Sequence, residues 1–235
     1  MGTIYKIDFD FSSQSQQSIL RYLQANQYKL FGFKGASGPN QITAGLPAWF
    51  AEPYIDMFGR VEIDYEPLYK VYVYNRANIG LNTTIQMEAL STEVPLGTAV
   101  TFNYDGSFST TPNGPAGAIS VFNARAAGTS DLTVGLAAKV NGRYAPFCAF
   151  NATPQANIWM RPNEKIALFA EQMDLVSGSV VNSGTNPGCT FEFSNSAIQY
   201  NLEMVPSTYG ITNAPNGLPV KGIRAGTSLF QLLNS

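Results

Sequence analysis

The feature that most constrains this chain is its punctuation. Glycine, proline and asparagine recur along its whole length, and only short β-branched or aromatic runs lie between them. Asp105-Gly106 separates Phe102-Asn103-Tyr104 from Ser107-Phe108-Ser109, and Asn141-Gly142 separates Ala138-Lys139-Val140 from Arg143-Tyr144-Ala145. Both dipeptides suit the positive φ angles of a two-residue hairpin turn. Val71–Tyr74, Ile119–Phe122, Ile166–Phe169 and Ile198–Leu202 read as strands. Roughly a dozen strands of this kind with regular turn signals predict a sandwich or barrel.

One helix interrupts the pattern. Ser13 and Gln16 form a capping-box pair, and Ile19, Leu20, Tyr22 and Leu23 follow as one apolar face. Asn26 suits a left-handed stop, so the helix is expected from about Ser13 to Ala25, across a sheet edge or plugging one end. Tyr5-Lys6-Ile7, Tyr28-Lys29-Leu30 and Tyr69-Lys70-Val71 share a Tyr-Lys-aliphatic opening. Their unequal spacing excludes a repeat array, and it suggests apolar strands each carrying a lysine at an edge.

Beyond position 205 the character changes. Pro206, Gly210, Pro215, Pro219, Gly222 and Gly226 break any regular element before the apolar tip at Leu229, Phe230, Leu232 and Leu233. The expected architecture is all-β: an antiparallel, jelly-roll-like β-sandwich over residues 1–205 with one short N-terminal helix, then an extended C-terminal arm over 206–235. The arm's tip either folds back on its own body, as termini do even in monomers, or docks on a neighbour. In the second case these four residues are the contacts of a homo-oligomer.

Composition strikes out much of enzymology. With no histidine, there is no Ser-His-Asp triad, Cys-His pair or His-ligated metal. Two cysteines cannot form a Cys₄ zinc or iron–sulfur site. Cys148 and Cys189 are expected as separate buried thiols. Joined, they would close a loop of 41 residues, worth ~4 kcal/mol by loop-closure entropy. A net charge of −2 argues against a nucleic-acid partner. No glycine-rich phosphate loop, dinucleotide motif or nucleophile elbow occurs, so neither a cofactor nor an enzymatic activity is expected.

In Val61-Glu62-Ile63-Asp64-Tyr65-Glu66, strand alternation sends Glu62, Asp64 and Glu66 to one face. Three carboxylates there could hold a hard cation, but no calcium-loop spacing accompanies them, and a solvated strand face is the plainer expectation; no metal site is assigned. Asp8 and Asp10 read the same way. A two-carboxylate hydrolase needs no histidine, yet nothing in the chain marks such a pair.

The aromatic distribution says more. Of two Trp, twelve Tyr and fifteen Phe, 15 lie within the first 74 residues. The segment Trp49–Gly59, interrupted by Pro53 and preceded by Pro47, reads as a loop that either folds inward or presents Trp49, Phe50, Tyr54 and Phe58 to a ligand. Abundant Asn, Gln, Ser and Thr suit neutral hydroxyl-rich ligands. The favoured function is therefore a non-enzymatic binding protein, lectin-like or membrane-binding toxin-like, taking a glycan or lipid surface through those four aromatics. The alternative is a self-assembling shell, fibre, appendage or inclusion component that uses its C-terminal arm.

The opening residues carry no apolar signal-peptide core, and no apolar run reaches transmembrane length. Both predict a chain that is cytoplasmic when synthesised, whether or not it is later released or assembled. No unperturbed group titrates between pH 5 and 8, so any switch there needs a shifted carboxylate, thiol or amine.

Overall fold

The computed structural model describes residues 2–234, and the all-β expectation holds. In chain order, β1 (Tyr5–Asp10), α1 (Gln14–Ala25), β2 (Lys29–Ser37), β3 (Leu46–Pro47) and β4 (Phe50–Pro53) lead to a 3₁₀ turn at Tyr54–Asp56. The long β5 (Arg60–Tyr74) precedes β6 (Ala89–Leu90), β7 (Ala99–Phe102), β8 (Phe108–Thr111) and β9 (Ile119–Asn123). Next come β10 (Leu132–Val140), β11 (Arg143–Pro146), β12 (Phe150–Ala152) and the equally long β13 (Asn157–Glu171). The chain closes with β14 (Val180–Val181), β15 (Gly188–Glu192), β16 (Gln199–Met204), β17 (Ile211–Asn213), β18 (Lys221–Ile223) and α2 (Leu229–Asn234).

Two large sheets result, and neither closes into a barrel. The first runs β11-β10-β5-β1-β16-β17, with β12 also on β10 and β6 on β5. The second runs β18-β15-β13-β9-β7-β8, with β2 on β13 and β4 on β2. Both contribute to one hydrophobic cluster, Ile7, Ile63, Val71 and Leu136 from the first sheet and Leu30, Val121, Ile166 and Leu168 from the second. The antiparallel expectation needs one correction. β1 runs parallel to β16 and β7 parallel to β9, pairings that need crossovers rather than hairpins.

Local signals behave unevenly. Asn141 and Gly142 take φ of 47° and 75° between the paired Val140 and Arg143, a true two-residue turn. At Asp105-Gly106 the last pair is Phe102 with Phe108, so the connection is five residues long. Its turn is held by the Asp105 carboxylate, which accepts from Ser107 N and Oγ, with Gly106 at φ 84°.

Ser13 caps α1 by accepting from Gln16 N at 3.3 Å. The Gln16 side chain does not close the capping box, because it pairs in both directions with the Met204 backbone and so docks the helix on β16. The left-handed residue after the helix is Gln27 (φ 56°); Asn26 stays at −103° and caps with its amide on Tyr22 O. Lys6, Lys29 and Lys70 do not guard edges, since β1, β2 and β5 each have neighbours on both sides.

The C-terminal segment is not an extended arm. β17 joins the first sheet, β18 joins the second, and α2 lies on β2 and β13. Leu229 and Leu233 are fully buried against Phe31, Phe33, Ala167 and Phe169, and Phe230 and Leu232 pack half-buried beside them. The segment's prolines and glycines interrupt it without detaching it. Two strands of three residues and one short helix satisfy its backbone, and the leucines supply the anchor. As oligomer contacts, Leu229 and Leu233 are thereby withdrawn; they already have partners in their own chain.

Candidate functional site

The aromatic segment is where the sequence placed a ligand surface, and its outcome is a correction. Trp49, Phe50 and Tyr54 are core residues, 0%, 2% and 0% exposed, whereas Phe58 is 71% exposed. The inward turn has a local cause. Phe50–Pro53 is a strand rather than a loop, paired with β2 in the register Gly32↔Phe50 to Lys29↔Pro53. Gly32 leaves the space the Phe50 ring occupies, since a Cβ there would meet that ring at 2.2 Å. Pro53 is tolerated because it ends the strand. Trp49 stands edge-on to Tyr65 at 4.9 Å and donates its indole N–H to Ala138 O at 3.2 Å.

The same segment nevertheless frames a cleft. A concavity of about 630 Å³ lies between Trp49–Pro53, the β10–β11 hairpin and Ser177. Its polar groups are the Glu52 carboxylate, the Asn141 amide, the Arg143 guanidinium and Tyr144. Asn141 is held in place, because its Oδ1 accepts from Asp64 N at 3.0 Å while its own N–H bonds Asp64 O at 2.8 Å. Its Nδ2 faces Glu52 Oε1 at 3.5 Å. The Tyr144 ring carries Lys70 Nζ at 4.5 Å from its centroid, and its hydroxyl donates to Glu93. Burial first, and then that hydroxyl bond to Glu93, pushes the Tyr144 phenol above its ordinary value, so it stays a neutral donor. Ser177 donates to Trp49 O at 3.0 Å and ties the loop to the floor. Among the described residues Arg143 is in no ion pair.

A rigid wall with one carboxylate, one guanidinium and an amide offers both donors and acceptors at little net charge. A second cleft of about 500 Å³ beside α2 is lined by Lys165, Thr190, Glu192 and Lys221 among others, and is walled partly by apolar Phe191 and Leu232.

The three-carboxylate strand resolves into ion pairs. Glu62 meets Lys6 at 2.8 Å and Glu66 meets Lys139 at 2.8 Å, while Asp64 anchors Asn141 through its backbone. Among the described residues no acidic or cysteine cluster could hold a metal ion. Asp8, unlike Asp10, is buried and takes Arg60 at 2.7 Å and Gln199 at 2.6 Å. Cys148 and Cys189 are separate and buried. Burial pushes the Cys148 thiol up to about 12 and raises Cys189 as well, so neither is a ready nucleophile.

One constellation escaped the sequence reading. Lys34, with a side chain 0% exposed, pairs with Glu164 Oε2 at 2.9 Å, and its ammonium sits 4.8 Å from the Tyr65 ring centroid. Tyr65 and Tyr69 both reach Glu164 Oε1, at 3.2 and 3.0 Å. Tyr65 and Tyr69 share β5, whereas Lys34 and Glu164 come from β2 and β13, distant in sequence, and irregularities in both β5 and β13 accompany the cluster. Between the pairs Pro162↔Ala36 and Ile166↔Lys34, three residues of β13 oppose the single Gly35.

Comparison with known protein families, with curated proteins and with solved structures finds no match to this chain.

Proposed function

We propose that this chain is a non-enzymatic binding protein that takes a neutral, hydroxyl-rich ligand, a glycan, in the cleft between Trp49–Pro53 and the β10–β11 hairpin. The observation that carries the reading is the juxtaposition of Glu52, Asn141 and Arg143 on a wall fixed by backbone pairing. Adjacent sugar hydroxyls need both acceptors and donors, and a carboxylate and a guanidinium lining one cleft supply both. Two eight-stranded sheets sharing one core fit a β-sandwich scaffold, although the two parallel pairs depart from a plain jelly roll. Such a scaffold holds the hairpin rigid enough to preorganise the site.

The test is a panel of neutral oligosaccharides, followed by titration calorimetry on the best ligand. Glu52→Gln should weaken binding about tenfold, the scale of one charge-assisted hydrogen bond. Equal affinity in that variant, or no binding across the panel at millimolar concentration, contradicts the reading.

A lipid surface is favoured by a different observation. Ile55 and Phe58 are exposed at one tip, 57% and 71%, a pair of the kind that enters a membrane interface. Co-sedimentation with neutral vesicles, lost in Phe58→Ala, would move the site from the cleft to the tip.

A further inference from the structure

Lys34 and Glu164 lie where chemistry between them is sterically prepared and no substrate can intervene. The amine is fully enclosed, donates to Glu164 Oε2 at 2.9 Å and to the Asn163 carbonyl, and is flanked by the Tyr65 and Phe147 rings at 4.8 and 5.7 Å. The Asn163 side chain is engaged elsewhere, donating to Leu233 O at 2.7 Å and accepting from Lys165 N at 3.0 Å. Glu164 is therefore the electrophile within reach. Its other oxygen, Oε1, takes the hydroxyls of Tyr65 and Tyr69. Its side chain keeps 26% exposure, which leaves a way out for a small product.

We propose that Lys34 and Glu164 condense to an intramolecular amide, a covalent staple joining β2 to β13, and that the ion pair is its precursor. One proton crossing the 2.9 Å hydrogen bond turns ammonium and carboxylate into amine and acid. The Nζ lone pair then attacks Cδ, and negative charge develops on Oε1 between the two tyrosine hydroxyls, an arrangement that stabilises a tetrahedral intermediate. Nζ passes one further proton to the departing Oε2 hydroxyl, which leaves as water, and keeps one hydrogen as the amide N–H. One C–N bond forms, one C–O bond breaks and one water is expelled, with no oxidant or further reactant.

Three features favour the forward direction. Desolvation pulls the Lys34 ammonium below its ordinary value, against the opposing pull of Glu164. A buried ion pair retains a desolvation penalty that a neutral amide does not. The surrounding β-sheet holds the reacting groups together throughout the life of the protein, the condition under which intramolecular reactions gain most.

The experiment is intact-mass spectrometry of the purified full-length chain, after incubation folded at neutral pH and then denaturation. The expected mass is about 18 Da below the sequence mass. A proteolytic digest should contain a peptide carrying Lys34 joined to one carrying Glu164, and both signatures should vanish in Lys34→Met. The stapled chain encloses a loop spanning a sequence separation of 130 residues, so it should also migrate faster than that variant in a denaturing gel. Wild-type protein at full sequence mass overturns the proposal. So does an 18 Da deficit that persists in Lys34→Met, which would mark a succinimide at Asp105-Gly106 instead. Because the deciding reading is made on the wild type, a variant that fails to fold does not blunt the test.

Discussion

Replacing Leu233 by alanine tests what the C-terminal segment is for. Leu233 is fully buried among Phe31, Phe33, Ala167, Phe169 and Leu229, near the last residues of the chain. The substitution removes three carbons, and at ~0.8 kcal/mol per buried methylene this forfeits about 2.4 kcal/mol of transfer free energy. The aromatic walls belong to paired strands and cannot collapse fully into the space, so a residual cavity adds about 1 kcal/mol. The expected destabilisation is therefore about 3–4 kcal/mol.

α2 is only six residues long and has no stability apart from this packing. Its carbonyl contact to Asn163 Nδ2 and the Asn234 side-chain contact to Ala36 N should loosen with it. Equilibrium urea unfolding reads the effect. With a slope of about 2.5 kcal/mol per molar urea, the midpoint should fall by about 1.2–1.6 M. Half-buried Leu232→Ala should lose less than half of that. If Leu233→Ala left the midpoint unchanged but lowered the sedimenting mass, the leucines would be packing on a neighbouring copy, and the anchoring account would be wrong.

Two further outcomes follow from buried titratable groups. Glu171 is buried at the end of β13, where its carboxylate accepts from Asn186 N at 2.9 Å and from Thr185 Oγ1. Burial outweighs those bonds and raises its pKa, so the folded state holds the proton more tightly than the unfolded one. Its contribution to stability is thus fully present below the ordinary carboxylate range and is lost as pH rises through the raised value. Glu171→Gln should flatten that part of the pH–stability curve measured by thermal unfolding; an unchanged curve contradicts the assignment. The cysteines should give no reaction with a thiol reagent in the native state and two thiols per chain in denaturant without reductant. Rapid native labelling of Cys148 would contradict its upward shift.

What was legible in the sequence was local. The Asn141-Gly142 turn, the Ser13 cap and the alternation of β5, with Ile63 and Tyr65 inward and Glu62 outward, each depend on residues a few positions apart. The parallel pairing of β1 with β16 joins Lys6 to Gln199, and no local pattern encodes it. The Trp49 segment reads as a loop because two prolines mimic loop punctuation, and of its two possible outcomes the inward one is decided by Gly32 on another strand, which makes room for Phe50. The glycine- and proline-rich C-terminal segment misled in a similar way: its two short strands need only a few paired residues each, so the breakers fall between them. The cleft was half visible. Glu52 lies inside the segment singled out for its aromatics, but Asn141 and Arg143 join it only through the packing of the hairpin. The Lys34–Glu164 pair was invisible, because a bulge sets which way Glu164 points.

The most direct test of the account compares Arg143→Ala with Phe58→Ala for binding of the best oligosaccharide by titration calorimetry. The cleft assignment predicts that Arg143→Ala loses at least tenfold in affinity, about 1.4 kcal/mol, while Phe58→Ala binds as the wild type does. Loss in Phe58→Ala with full binding in Arg143→Ala would contradict it, and would place recognition at the exposed tip instead.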